Sequence, residues 1–194
     1  MSIVTQEFLG SFVAPIVGSE GAVGVAGVHA GDPFSGTFSY DTSAAPLSST
    51  STTAKYPAIS FTVTLPDGKE LGANQVTIFV STEDEDPSIS VIGNVPHINA
   101  FMGILLRGPG GATGPVQSTS LPTSLDVTKF IFKNFTLCDR IDPIIAAIQE
   151  PPLPPLGSPF YLRGHLSAIQ RVTCLSLLFG LLSTKYCVFR RQPT

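Results

Sequence analysis

Polar and apolar residues alternate with period two through much of this chain, the mark of half-buried β-strands. In PFSGTFSYD, Phe34, Phe38 and Tyr40 share one face with Gly36 between them, and Ser35, Thr37 and Ser39 take the other. AISFTVTLPDG sends Ile59, Phe61, Val63 and Leu65 one way and Ser60, Thr62 and Thr64 the other. It ends at Pro66-Asp67-Gly68, a strong turn signal. NQVTIFVS follows, with Val76, Ile78 and Val80 on one face. Because these two runs are close in sequence, they are expected to pair antiparallel.

PSISVIGNV reads as a further short strand. INAFMGILLRG is apolar on both faces, as a central or doubly covered strand requires, and it stops at the loop-like GPGGATGP. TKFIFKNFTLCD places Phe130 and Phe132 on one side, with Ile131, Phe135 and Leu137 in the remaining phases. FYLRGHLSAIQRV sets Leu162, Leu166 and Ala168 against Arg163, His165 and Ser167. With the initial TQEFLGSFV, the pattern predicts one all-β domain over 1–172, a sandwich or flattened barrel of about 7–9 mainly antiparallel strands.

Two segments depart from this period. RIDPIIAAIQEPPLPPLG opens as a short helix near 142–149, with Pro143 suited to a first helical position after Asp142. Its proline run then forces extended backbone, which reads as a stiff connector more readily than as an SH3-type ligand. Residues 173–194 form an apolar and basic tail. It is uncharged from Val172 to Thr184, interrupted by Lys185 and closed by Arg190-Arg191. That run is shorter than the roughly 20 residues of a membrane-spanning helix. Leu175, Leu177, Leu178 and Leu181 are therefore expected to pack on the body of the protein or a partner, in preference to anchoring it in a membrane.

Composition narrows the function classes. Charged residues make up 13% of the chain and the net charge is −3, so no basic cluster is large enough to track nucleic-acid phosphates. Abundant Ser, Thr and Gly disfavour a helical bundle. Thirteen Phe and no Trp make a skewed aromatic choice. Cys138, Cys174 and Cys187 have no metal-site spacing; three cysteines allow at most one intrachain disulfide, and burial as small hydrophobes is the plain expectation. The N-terminal MSIVTQEFLGSFVAPIVG lacks a basic leader region and carries Glu7 early, unlike a signal peptide.

Four segments in order, GDPFSGTFSYDTSAA, YPAISFTVTL, SLPTSLDVTKF and FYLRGHLSAI, resemble the extracytoplasmic β-rich domains of PEP-CTERM, exosortase-sorted bacterial proteins. The resemblance runs from about Thr5 to Val172. Those domains share a G-x-F-x-Y-D-T strand before a Ser/Thr/Pro loop, a late L-P-x-x-L-x-L-x-x-F strand entry and a closing V-x-G-x-L-x-x-I strand. The tail here has an apolar stretch and Arg190-Arg191, without a Pro-Glu-Pro tripeptide directly before it. The resemblance implies an extracytoplasmic or cell-surface location and no specific catalytic residue.

Candidate chemistry is sparse. Glu83, Asp84, Glu85 and Asp86 are four consecutive carboxylates able to offer hard oxygen ligands to Ca²⁺, though a solvated acidic loop between strands explains them as well. His29, His97 and His165 lack partners at metal spacing. A triad of Ser35, His165 and Asp41 has no support in spacing, and G-x-S-x-G and phosphate-loop motifs are absent. Asn134-Phe135-Thr136 matches a glycosylation sequon inside a predicted strand. These observations favour a non-enzymatic structural or interaction module, with no cofactor and a protein or cell-surface partner. The alternatives are a small-molecule-binding barrel with isomerase-like activity and a Ca²⁺-dependent adhesin-like module. A large closed cavity with converging polar groups is what separates the barrel from the module.

Overall fold

The computed structural model describes residues 2–17, 27–83, 87–98, 100–111, 114–138, 161–171, 174–175 and 186–187. Eleven strands form one antiparallel sheet, open and curled into a half-barrel. They are β1 (Ile3–Val17), β2 (Pro33–Asp41), β3 (Ser48–Ser49), β4 (Thr53–Pro57), β5 (Ser60–Thr64), β6 (Glu70–Gly72), β7 (Asn74–Ser81), β8 (Ser88–Val95), β9 (Ala100–Arg107), β10 (Phe132–Cys138) and β11 (Tyr161–Arg171). The spatial order is β3-β4-β7-β8-β9-β10-β11-β1-β2-β5-β6. A separate two-stranded ladder joins β12 (Cys174–Leu175) to β13 (Tyr186–Cys187).

The all-β antiparallel reading holds. The strand count is higher than the expected seven to nine because β3 and β6, with two and three residues, are too short to show a period in sequence, and the five-residue β4 follows a Ser/Thr run that masks its own. The helix read near 142–149 and the proline run lie outside the described residues. So do Leu177, Leu178 and Leu181 of the tail.

Alternation along each strand builds the core. Val4, Gln6, Phe8 and Phe12 of β1 face inward, and so do Phe34, Phe38 and Tyr40 of β2 and Phe61 and Val63 of β5. Six phenylalanines, Phe8, Phe12, Phe34, Phe38, Phe61 and Phe135, meet on the concave side, their neighbouring ring centroids between 4.8 and 6.4 Å apart. The rings need glycines beneath them. A Cβ at Gly36 would collide with the Phe8 ring and the Thr62 carbonyl, and one at Gly164 would meet the Phe34 ring. The glycine inside PFSGTFSYD is therefore the seat on which an adjacent strand's ring lies.

Both faces of β9 are buried, as its sequence requires, and β9 sits near the middle of the sheet. Three details correct the sequence reading. Phe132 lies on the opposite face from Phe130: Phe130 joins the inner core, after a 3-10 turn at Val127–Lys129 resets the phase, while Phe132 packs under Arg163 outside. In β11 the pairing skips a residue, from Leu9 opposite Ala168 to Gly10 opposite Leu166, so the inward set is Leu166 and Ile169 and Ala168 leaves the core phase. Ile59 is 57% exposed, although Phe61, Val63 and Leu65 of the same run are buried.

The expected pairing of AISFTVTL with NQVTIFVS does not occur. The Pro66-Asp67-Gly68 turn is present, with Gly68 at φ +83 and Asp67 Oδ1 accepting the Lys69 N–H at 2.9 Å. It joins β5 to the short β6, however, and β5 also pairs with β2. NQVTIFVS becomes β7, between β4 and β8. The cause is a crossover at one rim. The Ala58 N–H donates to the Val76 carbonyl of β7 and the Ile59 N–H to the Ser39 carbonyl of β2, so successive residues bond toward opposite ends of the sheet.

Candidate functional site

The concave face is the natural place for a ligand in a half-barrel, and here the chain itself occupies it. Between β9 and β10, Val116, Leu121, Leu125, Val127 and Phe130 all enter the core. Four of these are the apolar positions of LPTSLDVTKF. Asp126 fixes the turn in this segment: its Oδ1 accepts the Thr128 N–H at 3.1 Å and the Thr128 hydroxyl at 2.6 Å. The hydroxyl bond is the main reason that the Asp126 carboxyl lies below the usual carboxylate range.

Two tyrosines pin this segment. The Tyr40 hydroxyl donates to the Pro122 carbonyl at 2.7 Å, and the Tyr56 hydroxyl donates to the Thr119 carbonyl at 3.0 Å. Tyr40 is on β2 and Tyr56 on β4, strands toward opposite ends of the sheet. Residues 119–122 are thus a clasp holding the curled sheet from both sides. Gln6 Nε2 donates to the Tyr40 oxygen at 3.2 Å, and Gln6 is fully buried. Burial pushes the Tyr40 phenol up, against the smaller lowering effects of the Gln6 bond and the Arg171 charge. Both tyrosine hydroxyls, polar groups of the kind that would orient a ligand inside a pocket, are committed to the clasp. Gln6 Oε1 is buried without a hydrogen-bond partner.

The rim where β4 passes to β5 carries a surface groove of about 430 Å³, lined by Leu47, Pro57, Ala58, Ile59 and residues 73–77. No lining residue is charged. Gln75 sits there at φ +51, the left-handed region that a non-glycine side chain disfavours, where the β7–β8 register shifts between Asn74 and Thr77. Leu47 is 61% exposed, so this rim displays apolar surface.

On the convex face, hydroxyl pairs tie neighbouring strands: Thr5 with Ser39 at 2.8 Å and Thr37 with Thr62 at 3.1 Å. Arg163 lies over the Phe132 ring at 5.5 Å. In the amide orientation that satisfies both groups, Asn134 Oδ1 accepts from Arg163 Nε at 3.0 Å and Nη2 at 2.7 Å. The sequon asparagine is therefore a buried member of β10 that holds a guanidinium.

The structure does not bring the sequence candidates together. Asp41 is opposite Ile3, Ser35 is opposite Leu9, and His165 is opposite Ser11. Six positions of extended strand separate Ser35 from Asp41, roughly 20 Å, so the triad of Ser35, His165 and Asp41 does not form. Asp41 instead accepts the Ser43 hydroxyl at 2.7 Å and the Ser43 and Ser2 N–H groups at 3.0 Å, which lower its carboxyl. Glu83 is exposed, its N–H donating to Ser81 Oγ at 3.3 Å, while Asp84, Glu85 and Asp86 lie outside the described residues. Among the described residues no three His, Cys, Asp or Glu side chains gather as a metal site. His29 is exposed in a loop. No helix among the described residues is long and apolar enough to cross a membrane.

Sequence reasoning missed Gln6, Tyr56 and the clasp. Tyr56 was readable: in TAKYP, Ala54 and Tyr56 alternate with exposed Lys55. The preceding Ser/Thr run masks so short a period. Comparison with protein-family models, curated proteins and solved structures finds no match.

Proposed function

We propose that this chain is a non-enzymatic structural or interaction module acting outside the cytoplasm, akin to the β-rich domains of PEP-CTERM proteins. The clasp supports this reading best. The concavity that would receive a small molecule is filled by Phe rings and by the chain's own residues 116–130, whose backbone takes the two tyrosine hydroxyls. Contact with a protein or cell-surface partner then falls to the exterior. The uncharged rim beside Leu47 and Ile59 suits apolar side chains better than an anionic ligand.

The test is to weigh the purified full-length chain under native and denaturing conditions. The native mass is expected to equal that of the polypeptide. A stoichiometric small molecule that is shed on denaturation would overturn the module and favour the binding barrel. Calcium provides a second arm, since a ligand stabilises a fold only by binding it better than the unfolded chain. The melting temperature is expected to stay flat in micromolar Ca²⁺. A saturable rise, lost in Glu83→Gln/Asp84→Asn, would instead support the adhesin-like reading.

A further inference from the structure

We infer that Cys174 and Cys187 are a disulfide-forming pair. The inference rests on backbone register and is independent of the proposed function. In the β12–β13 ladder Cys174 is directly opposite Cys187, and Leu175 opposite Tyr186. Directly opposed residues of an antiparallel pair lie on the same face, with Cα atoms about 4.5 or 5.5 Å apart according to the hydrogen-bonding type of the pair. Both values fall within the roughly 4.4–6.8 Å that a disulfide spans. A shift of one residue in register would put the two cysteines on opposite faces and forbid the bond.

The other pairings are disfavoured by position. Cys138 belongs to the main sheet, where it is opposite Phe101 and Tyr161, and it is fully buried against Ile92 and Phe101. The β12–β13 ladder is not joined to that sheet. Three cysteines permit one bond, and register selects which.

The bond forms by exchange with a low-molecular-weight disulfide such as oxidised glutathione. One cysteine thiolate attacks a glutathione sulfur, giving a protein–glutathione mixed disulfide and one glutathione thiolate. The second cysteine thiolate attacks the protein sulfur of that mixed disulfide and expels the second glutathione. Two protein thiols lose two electrons in total, and one oxidised glutathione gains them to become two thiols.

Lys185 makes the test direct, because it lies between the two cysteines. The full chain is equilibrated with oxidised glutathione, alkylated, and digested with trypsin without reductant. Cleavage after Arg171, Lys185 and Arg190 frees peptides 172–185 and 186–190, which stay together only through a Cys174–Cys187 bond. The linked pair is expected from monomeric protein and should fall apart on reduction. Cys174→Ser should abolish it. The glutathione exchange constant is then measured with and without urea, to separate register from mere nearness in sequence. The native constant is expected to exceed the unfolded one by at least about tenfold. Separately alkylated peptides, a link through Cys138, or equal constants in the two conditions would overturn the assignment.

Discussion

Phe61 shows how much a single side chain carries here. It is fully buried on β5, its ring meeting Phe8 and Phe38 at centroid distances of 6.0 and 6.4 Å. Close-packed rings leave no slack to refill a hole, so Phe61→Ala should cost about 3–5 kcal/mol in urea denaturation. Asp41 acts through its charge state. The Ser43 hydroxyl bond, with the Ser43 and Ser2 N–H bonds behind it, favours the carboxylate and lowers the native pKa below the unfolded one. A lowered carboxyl contributes stability above the unfolded value, near pH 4, and loses it as pH falls through the native value. Asp41→Asn should therefore be less stable than the native protein at neutral pH, and the gap should close in acid. Melting curves recorded from pH 7 downward check this; a gap that widens in acid contradicts the assigned bonds.

At the scale of elements, the sheet depends on glycines placed under rings. Gly36 is opposite Phe8 across β1–β2 and opposite Val63 across β2–β5. An added methyl meets the Phe8 ring and the Thr62 carbonyl, and a carbonyl in a ladder cannot yield cheaply. Gly36→Ala should destabilise by about 1–3 kcal/mol, although alanine ordinarily suits a strand interior better than glycine. Equilibrium unfolding in urea measures it, and a neutral or stabilising result would mean that the Phe8 ring moves aside freely.

The whole molecule depends on a clasp that reaches both ends of an open sheet. Tyr40 and Tyr56 are far apart in strand order, yet both hydroxyls bond within residues 119–122. Each single change to Phe removes a partly buried hydrogen bond, worth about 0.5–1.5 kcal/mol. If the clasp is one unit, losing either pin loosens the segment that the other holds. The double variant Tyr40→Phe/Tyr56→Phe should then depart from additivity by at least about 0.5 kcal/mol in a denaturant double-mutant cycle. Strict additivity would mean that the two bonds fasten independent pieces of chain.

Period-two alternation determined the strands from the sequence alone, because a pleated strand with one face buried has to alternate. PFSGTFSYD, the run from Phe61 to Leu65, and Val76, Ile78 and Val80 all face as their letters require. INAFMGILLRG, apolar on both sides, is a central strand because both of its faces are buried. Partner choice was not in the letters. The Pro66-Asp67-Gly68 turn was legible, but three residues of β6 claimed it, and β7 paired elsewhere because hydrogen bonds at Ala58 and Ile59 carry the chain across the rim. Nor was the clasp legible: LPTSLDVTKF reads as a strand entry, and only the curvature of the sheet shows that its apolar residues fill a concavity. Alternation is a local property of a strand. Pairing and filling depend on which distant surfaces meet, and those were decided when the sheet curled.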